Sequence, residues 1–126
     1  MKISVSEVDF PKAAKVFYES LFDLVLHLRE RFRALGSQQQ MFEIALKTVL
    51  KNKDNDQALD HYLHLLGEKH KMLGLQQIHM ERGRVAFLYS IKEAAPTIGE
   101  DDVAELDQIF SKIIEKFGYK PTQSAS

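Results

Sequence analysis

Five histidines and no cysteine set the chemistry open to this chain of 126 residues. An imidazole is the commonest protein ligand for a transition metal, and it titrates near neutrality. Without thiols there can be no disulfide, no thiolate metal site and no cysteine nucleophile. His61, His64 and His70 fall in what reads as one helix. At about 100° per residue, His64 lies roughly 120° and His61 roughly 180° around that helix from His70. Three ligands spread in this way cannot converge on one zinc ion. His70 stands apart by its setting: it follows Lys69 near the end of an amphipathic segment and precedes Gly74 by one turn. A lone helical histidine is ordinarily a surface group or a satisfied core group, so its role depends on the elements that position it.

Those elements read as helical throughout, because no stretch alternates as a strand would. A first helix opens at Pro11, after Asp9-Phe10, and carries Phe17, Leu21, Val25, Leu28 and Phe32 on one stripe, with a break expected near Leu24 to Leu26. Ala34-Leu35-Gly36 interrupts the pattern, and Ser37 with Gln40 has the spacing of a capping box. A second helix is expected from Gln38 to Lys51, a polar turn over 52–55, a third helix from Asp56 to Lys71, and a fourth from Gln77 to Glu93. Ala94-Ala95-Pro96 ends the fourth, and Thr97 with Glu100 is a second candidate cap. The last helix has the cleanest period, through Val103, Leu106, Ile109, Phe110, Ile113, Ile114 and Phe117, and residues 118–126 read as a flexible tail. Five or six helices with short connections make a single all-α domain over residues 1–126, preceded within it by an irregular segment over 1–10. The carboxylates Glu100-Asp101-Asp102 suit the positive end of the last helix dipole and need no catalytic role.

Composition narrows the function classes. The 44% hydrophobic and 28% charged fractions are those of an ordinary globular protein. A formal charge of −1 gives no electrostatic footprint for nucleic acid or for an anionic membrane surface. No apolar run is long enough to span a bilayer. Met1-Lys2-Ile3-Ser4-Val5 lacks the apolar core of a secretory signal, so a cytoplasmic location is the expectation.

With the helices in place, the chain resembles the bacterial globins of the flavohaemoglobin and Vitreoscilla-type class, without a reductase domain. The resemblance covers Pro11 to about Phe117. It is carried by Pro11-Lys12, Phe17-Tyr18-Glu19-x-Leu21-Phe22, Phe32, Asn55-x-x-Ala58-Leu59 and Lys69-His70. It implies a globin fold that binds haem b, with His70 as the axial iron ligand. Phe32 then matches the phenylalanine that wedges against the haem face. Tyr18 and Gln38 match the distal donors to a bound diatomic, Gln39 being the alternative if the register slips. Phe42, Leu46, Leu66, Leu75 and Leu88 become apolar contacts of the porphyrin. The function implied is binding of O₂, NO or CO, as in oxygen transport.

Departures from that family shape the rest of the expectation. Only ten residues precede Pro11, so the usual first helix is missing or reduced to one turn. That leaves apolar surface on the last helix uncovered, a candidate partner surface and one on which a homodimer could form. Met80 stands where the family has a tyrosine beside the proximal histidine, and the partnering glutamate falls in Lys120-Pro121-Thr122. No G-x-G-x-x-G phosphate-binding pattern is present, so oxidation of NO to nitrate would need an external reductase. Whether the chain is an enzyme or a simple gas binder stays open at this point. Two rivals stand beside it: a haem-based gas sensor, and a haem-free helical interaction domain.

Overall fold

The computed structural model describes residues 2–31, 35–71, 75–116, 118 and 119, the side chains of residues 31, 35 and 69–71 falling outside the described set. Among the described residues every regular element is helical, and no strand forms. The helices are α1 (Phe10–Leu24), α2 (Leu35–Lys51), α3 (Asp56–Lys71), α4 (Gln77–Ala94) and α5 (Glu100–Lys116), with short 3-10 turns at Val5–Glu7 and Leu26–Arg31. The all-α expectation holds, and among the described residues no helix is long and apolar enough to cross a membrane.

Local chemistry explains most of the boundaries. Asp9 caps α1 by accepting from the Lys12 amide at 3.1 Å, with Pro11 in the first turn where its missing N–H costs nothing. The chain turns into a 3-10 stretch after Leu24, as the sequence suggested. Asn55 caps α3 through its side-chain oxygen and the Ala58 amide at 3.1 Å, which gives the Asn55-x-x-Ala58 spacing a local cause. Two expected caps are corrected. Ser37 lies inside α2, which already includes Leu35 and Gly36; Gly36 meets only open space, and one glycine in a first turn costs little. Thr97 lies ahead of α5, whose first turn is closed by the Val103 amide donating to Gly99 at 3.1 Å.

Packing arranges the helices around two larger clusters and a small one of Met80 and Ile114. α1 crosses both α4 and α2, while α5 lies against α4 and α3. One cluster joins Phe10 and Ala13 of α1, Leu46, Val49 and Leu50 of α2, Leu59 and Leu63 of α3, Phe87 and Ile91 of α4, and Leu106 and Ile109 of α5. The other gathers Tyr18, Leu21, Phe22, Val25, Leu28 and Ala86 around the end of α1. Arg84 of α4 grips Asp107 of α5 with both ends of its guanidinium fork, at 2.5 and 2.6 Å.

The N-terminal segment takes the place the sequence assigned to a reduced first helix. A single turn at Val5–Glu7 is framed by the Ser4 amide donating to Glu7 at 2.7 Å. Ile3 and Val8 insert into the main cluster. Asp102, near the start of α5, accepts from the amides of Lys2 and Ile3 at 2.9 and 2.7 Å, and Lys53 donates to the Ile3 carbonyl at 2.5 Å. Asp102, in the first turn of α5 as the dipole reading expects, is in addition a buried tie to the N-terminal segment. The last helix is correspondingly not bare: no large apolar side chain of α5 is exposed among the described residues.

One close approach fixes α3. A Cβ on Gly67 would sit 2.8 Å from both the Cβ and the carbonyl oxygen of Lys116. Backbone of α5 occupies the space that any side chain would need. Asp60 and Lys116 add an exposed ion pair at 3.4 Å, which contributes little.

Two measurements check these ties. Asp102→Asn should lower stability by about 1–3 kcal/mol in urea unfolding, because a charged acceptor for two buried amides is lost. The donated Lys2 and Ile3 hydrogen bonds hold the Asp102 carboxyl below the usual carboxylate range. A folded pKa below the unfolded one stabilises above the unfolded value and is lost as pH falls through the folded one. The acid-side loss below about pH 4 should shrink in Asp102→Asn. Gly67→Ala should lower the thermal midpoint: overlap with Lys116 costs about 1–3 kcal/mol, more than the roughly 1 kcal/mol that alanine gains in helix propensity.

Candidate functional site

The sequence assigned nine residues to a site; seven of them fall on α1, α2, α3 and α4, Leu75 lies just ahead of α4, and Phe32 lies outside the described residues. Tyr18 projects from the middle of α1 and is buried. Its hydroxyl donates to the backbone carbonyl of Gln38 in the second turn of α2 at 3.4 Å. The two residues expected to act together thus meet, although they are separated by 20 positions and the contact uses the Gln38 backbone. The distance is long for an O–H donor. Tyr18 rests edge-on against Phe17 at 5.0 Å and near Phe42 at 6.1 Å, and Phe42 stacks on Phe17 at 4.6 Å. Burial pushes the Tyr18 hydroxyl pKa up to about 12, so it keeps its proton and stays a donor at any physiological pH.

Phe42 and Leu88 are half-buried and pack on the main cluster, to which Leu46 belongs outright. Leu66 is half-buried on α3, and half-buried Leu75 lies between the α1 end cluster and the small cluster of Met80 and Ile114. Four of the five expected apolar contacts are therefore incompletely covered by the protein itself. Phe32 lies outside the described residues. His70 lies within α3, one turn beyond Leu66 and two beyond Leu63, and its side chain is likewise outside the described set. His61 and His64 are exposed.

The relation between α2 and α3 matters most for the site. The turn at 52–55 joins them, and Leu46, Val49, Leu50, Leu59 and Leu63 share one cluster beside it. Beyond it the principal packing partner of α2 is α1 and that of α3 is α5. Tyr62 of α3 makes a hydrogen-bonding contact with Thr48 of α2, which opposes the upward push of burial on its pKa. Met41, Ile44 and Leu65 are exposed on the same two helices.

Two solvent-open grooves lie elsewhere. One of about 720 Å³ runs between α1 and α2, with Tyr18 and Phe22 on its floor. The other, of about 550 Å³, separates the N-terminal segment from the start of α5. Of the expected site residues, only Tyr18 lines either one.

Sequence reasoning passed over His79. It is buried at the start of α4, and its Nδ1 accepts from the Gln76 amide at 3.0 Å, which leaves the proton on Nε2. The His27 ring lies 5.7 Å away. The Gln76-x-x-His79 spacing resembles that of a capping box, the one signal that could have placed this histidine.

Tyr18 allows a direct check of burial. A hydroxyl that binds its proton more tightly when folded stabilises the fold below the unfolded pKa, near 10, and that stability is lost as pH rises toward 12. Spectrophotometric titration should show the latest of the tyrosine ionisations near pH 12, and Tyr18→Phe should remove that phase while flattening the alkaline fall in stability. A late phase that persists in Tyr18→Phe would assign it to another tyrosine.

No protein-family model, no curated protein and no solved structure matches this chain.

Proposed function

We propose that the chain is a haem-binding globin that takes up a diatomic gas, O₂, NO or CO, in the interval between α2 and α3. The observation that carries the reading is the meeting of Tyr18 with the N-terminal turns of α2 at Gln38. A buried, permanently protonated phenol beside an amide-bearing helix start is a donor pair suited to a weakly basic diatomic. Two further features support it. α2 and α3 give their main packing faces to other helices, α1 and α5. Phe42 of α2 and Leu66 of α3 are large apolar side chains left half-covered.

The residues present fit such a group. Phe42, Leu66, Leu75 and Leu88 would cover the porphyrin, and His70 would hold its iron from the α3 side. Haem would supply the metal centre to which the gas binds. The protein's part is to exclude water with the Phe17–Phe42 stack and to offer the Tyr18 hydroxyl where negative charge accumulates. Gln38 or Gln39 provides a second donor. Oxidation of NO would draw electrons from a separate reductase.

One observation favours a second reading. Phe42, Leu46 and Leu88 already pack against the main cluster, and the described grooves lie away from the α2–α3 interval. Both features suit a haem-free helical interaction domain. Absorption spectroscopy of protein purified with haem supplied separates the two. Under the globin reading a Soret band appears, vanishes in His70→Ala and survives in His64→Ala. Its absence from the parent protein would leave the haem-free domain. Tyr18→Phe should speed O₂ dissociation severalfold, as expected for a hydrogen bond worth about 1–2 kcal/mol. An unaltered off-rate would remove Tyr18 from the distal role.

A further inference from the structure

α4 is apolar on two sides, and only one of them faces the core. Met80, Ala86, Phe87 and Ile91 are buried, while Ile78, Val85 and Tyr89 stand outside, 43%, 55% and 52% exposed. Among the described residues no other helix exposes as many large apolar side chains. A helix that is hydrophobic all round is ordinarily covered all round. At about 100° per residue, Val85, Ile78 and Tyr89 fall within roughly 40° of one another. Glu81 and Lys92 flank this stripe on one side and Arg82 and Glu93 on the other, each pair aligned to roughly 20°. Each flank thus carries one acid and one base, and the two flanks carry them in opposite order along the helix. Glu81 is half-buried and the other three are exposed, and among the described residues none of the four forms an ion pair within the chain.

We infer that this outer face of α4 is where a second copy of the chain docks, helix against helix and antiparallel. The charge pattern argues for a copy, because it is complementary to itself. A two-fold axis across α4 at the level of Phe87 reverses the helix and lays each flank on the same flank of the copy. Arg82 then lies beside the partner's Glu93, and Glu81 beside the partner's Lys92, twice over by symmetry. In the same register Val85 meets the ring of the partner's Tyr89, an aliphatic–aromatic contact at the centre of the face. Apolar burial there supplies the affinity. The ion pairs at its edges add little attraction and set register and direction instead. An antiparallel pair also opposes the two helix dipoles, which a parallel pair would align. One helix pair covers less surface than a permanent dimer needs, so the association is reversible and depends on concentration. Haem has no part in the contact.

Sedimentation equilibrium over a range of concentrations should show the parent protein passing reversibly from monomer to dimer. Arg82→Glu or Glu93→Arg sets like charges against each other twice, and each should weaken association at least tenfold. Both positions are exposed, so both variants should keep the circular dichroism of the parent. Combining the two substitutions restores both pairs with their signs exchanged. The dissociation constant should then return to within threefold of the parental value. In a parallel pair Arg82 would face the partner's Glu81, and the combined variant would associate more weakly still. Ile44→Glu, at an exposed apolar position of α2, should leave association unchanged. A parent protein that stays monomeric at every concentration would overturn the inference. So would a dimer indifferent to Arg82→Glu, one that the combined variant fails to restore, or one lost in Ile44→Glu. None of these outcomes bears on the Soret band, so the docking face and the haem reading stand or fall separately.

Discussion

The placement of α3 turns on an absence, the missing side chain at Gly67. Because nothing projects there, the backbone of α5 at Lys116 comes within 2.8 Å of where a Cβ would stand. Sequence-adjacent helices joined by a short turn ordinarily fold back on one another. Here α3 gives its buried face to α5 while α2 gives its own to α1. The two share the cluster of Leu46, Val49, Leu50, Leu59 and Leu63, and Tyr62 reaches Thr48 beside it.

A second constraint acts from the opposite end of the domain. α5 can serve as the bed for α3 and α4 only if its own start is fixed. Asp102 does this by accepting two amides of the N-terminal segment, with Lys53 closing the same corner on the Ile3 carbonyl. A few residues with one short turn are enough to fix that start. Burying Ile3 and Val8 supplies apolar contact, and the carboxylate supplies direction. Arg84 and Asp107 then lock α4 to α5 from the side.

Much of this arrangement was legible in the sequence. The period of Val103, Leu106, Ile109 and Ile114 announced α5, and Asp9-Phe10-Pro11 announced the start of α1, because caps and amphipathic spacing are local signals. The hydrogen bond from Tyr18 to the Gln38 carbonyl was not legible locally, since nothing in either segment points to the other. The roles of Asp102 and Gly67 could not be read at all. Each depends on a residue far along the chain, Ile3 in one case and Lys116 in the other, and a sequence carries no record of distance. Ser37 misled because a capping pattern is informative only where a helix begins, and α2 begins earlier. His79 escaped notice because a glutamine–histidine pair satisfies the cap by an imidazole nitrogen, outside the usual residue types.

The central claim is that the interval between α2 and α3 receives a haem whose iron is held by His70 and whose gas is met by Tyr18. Titrating ferric haem into the purified protein, then reducing it and adding CO, tests it most directly. The account predicts saturation at one haem per chain, with a sharp Soret band that moves on reduction and again on CO addition. A titration that leaves only the broad spectrum of free haem at every ratio would contradict it.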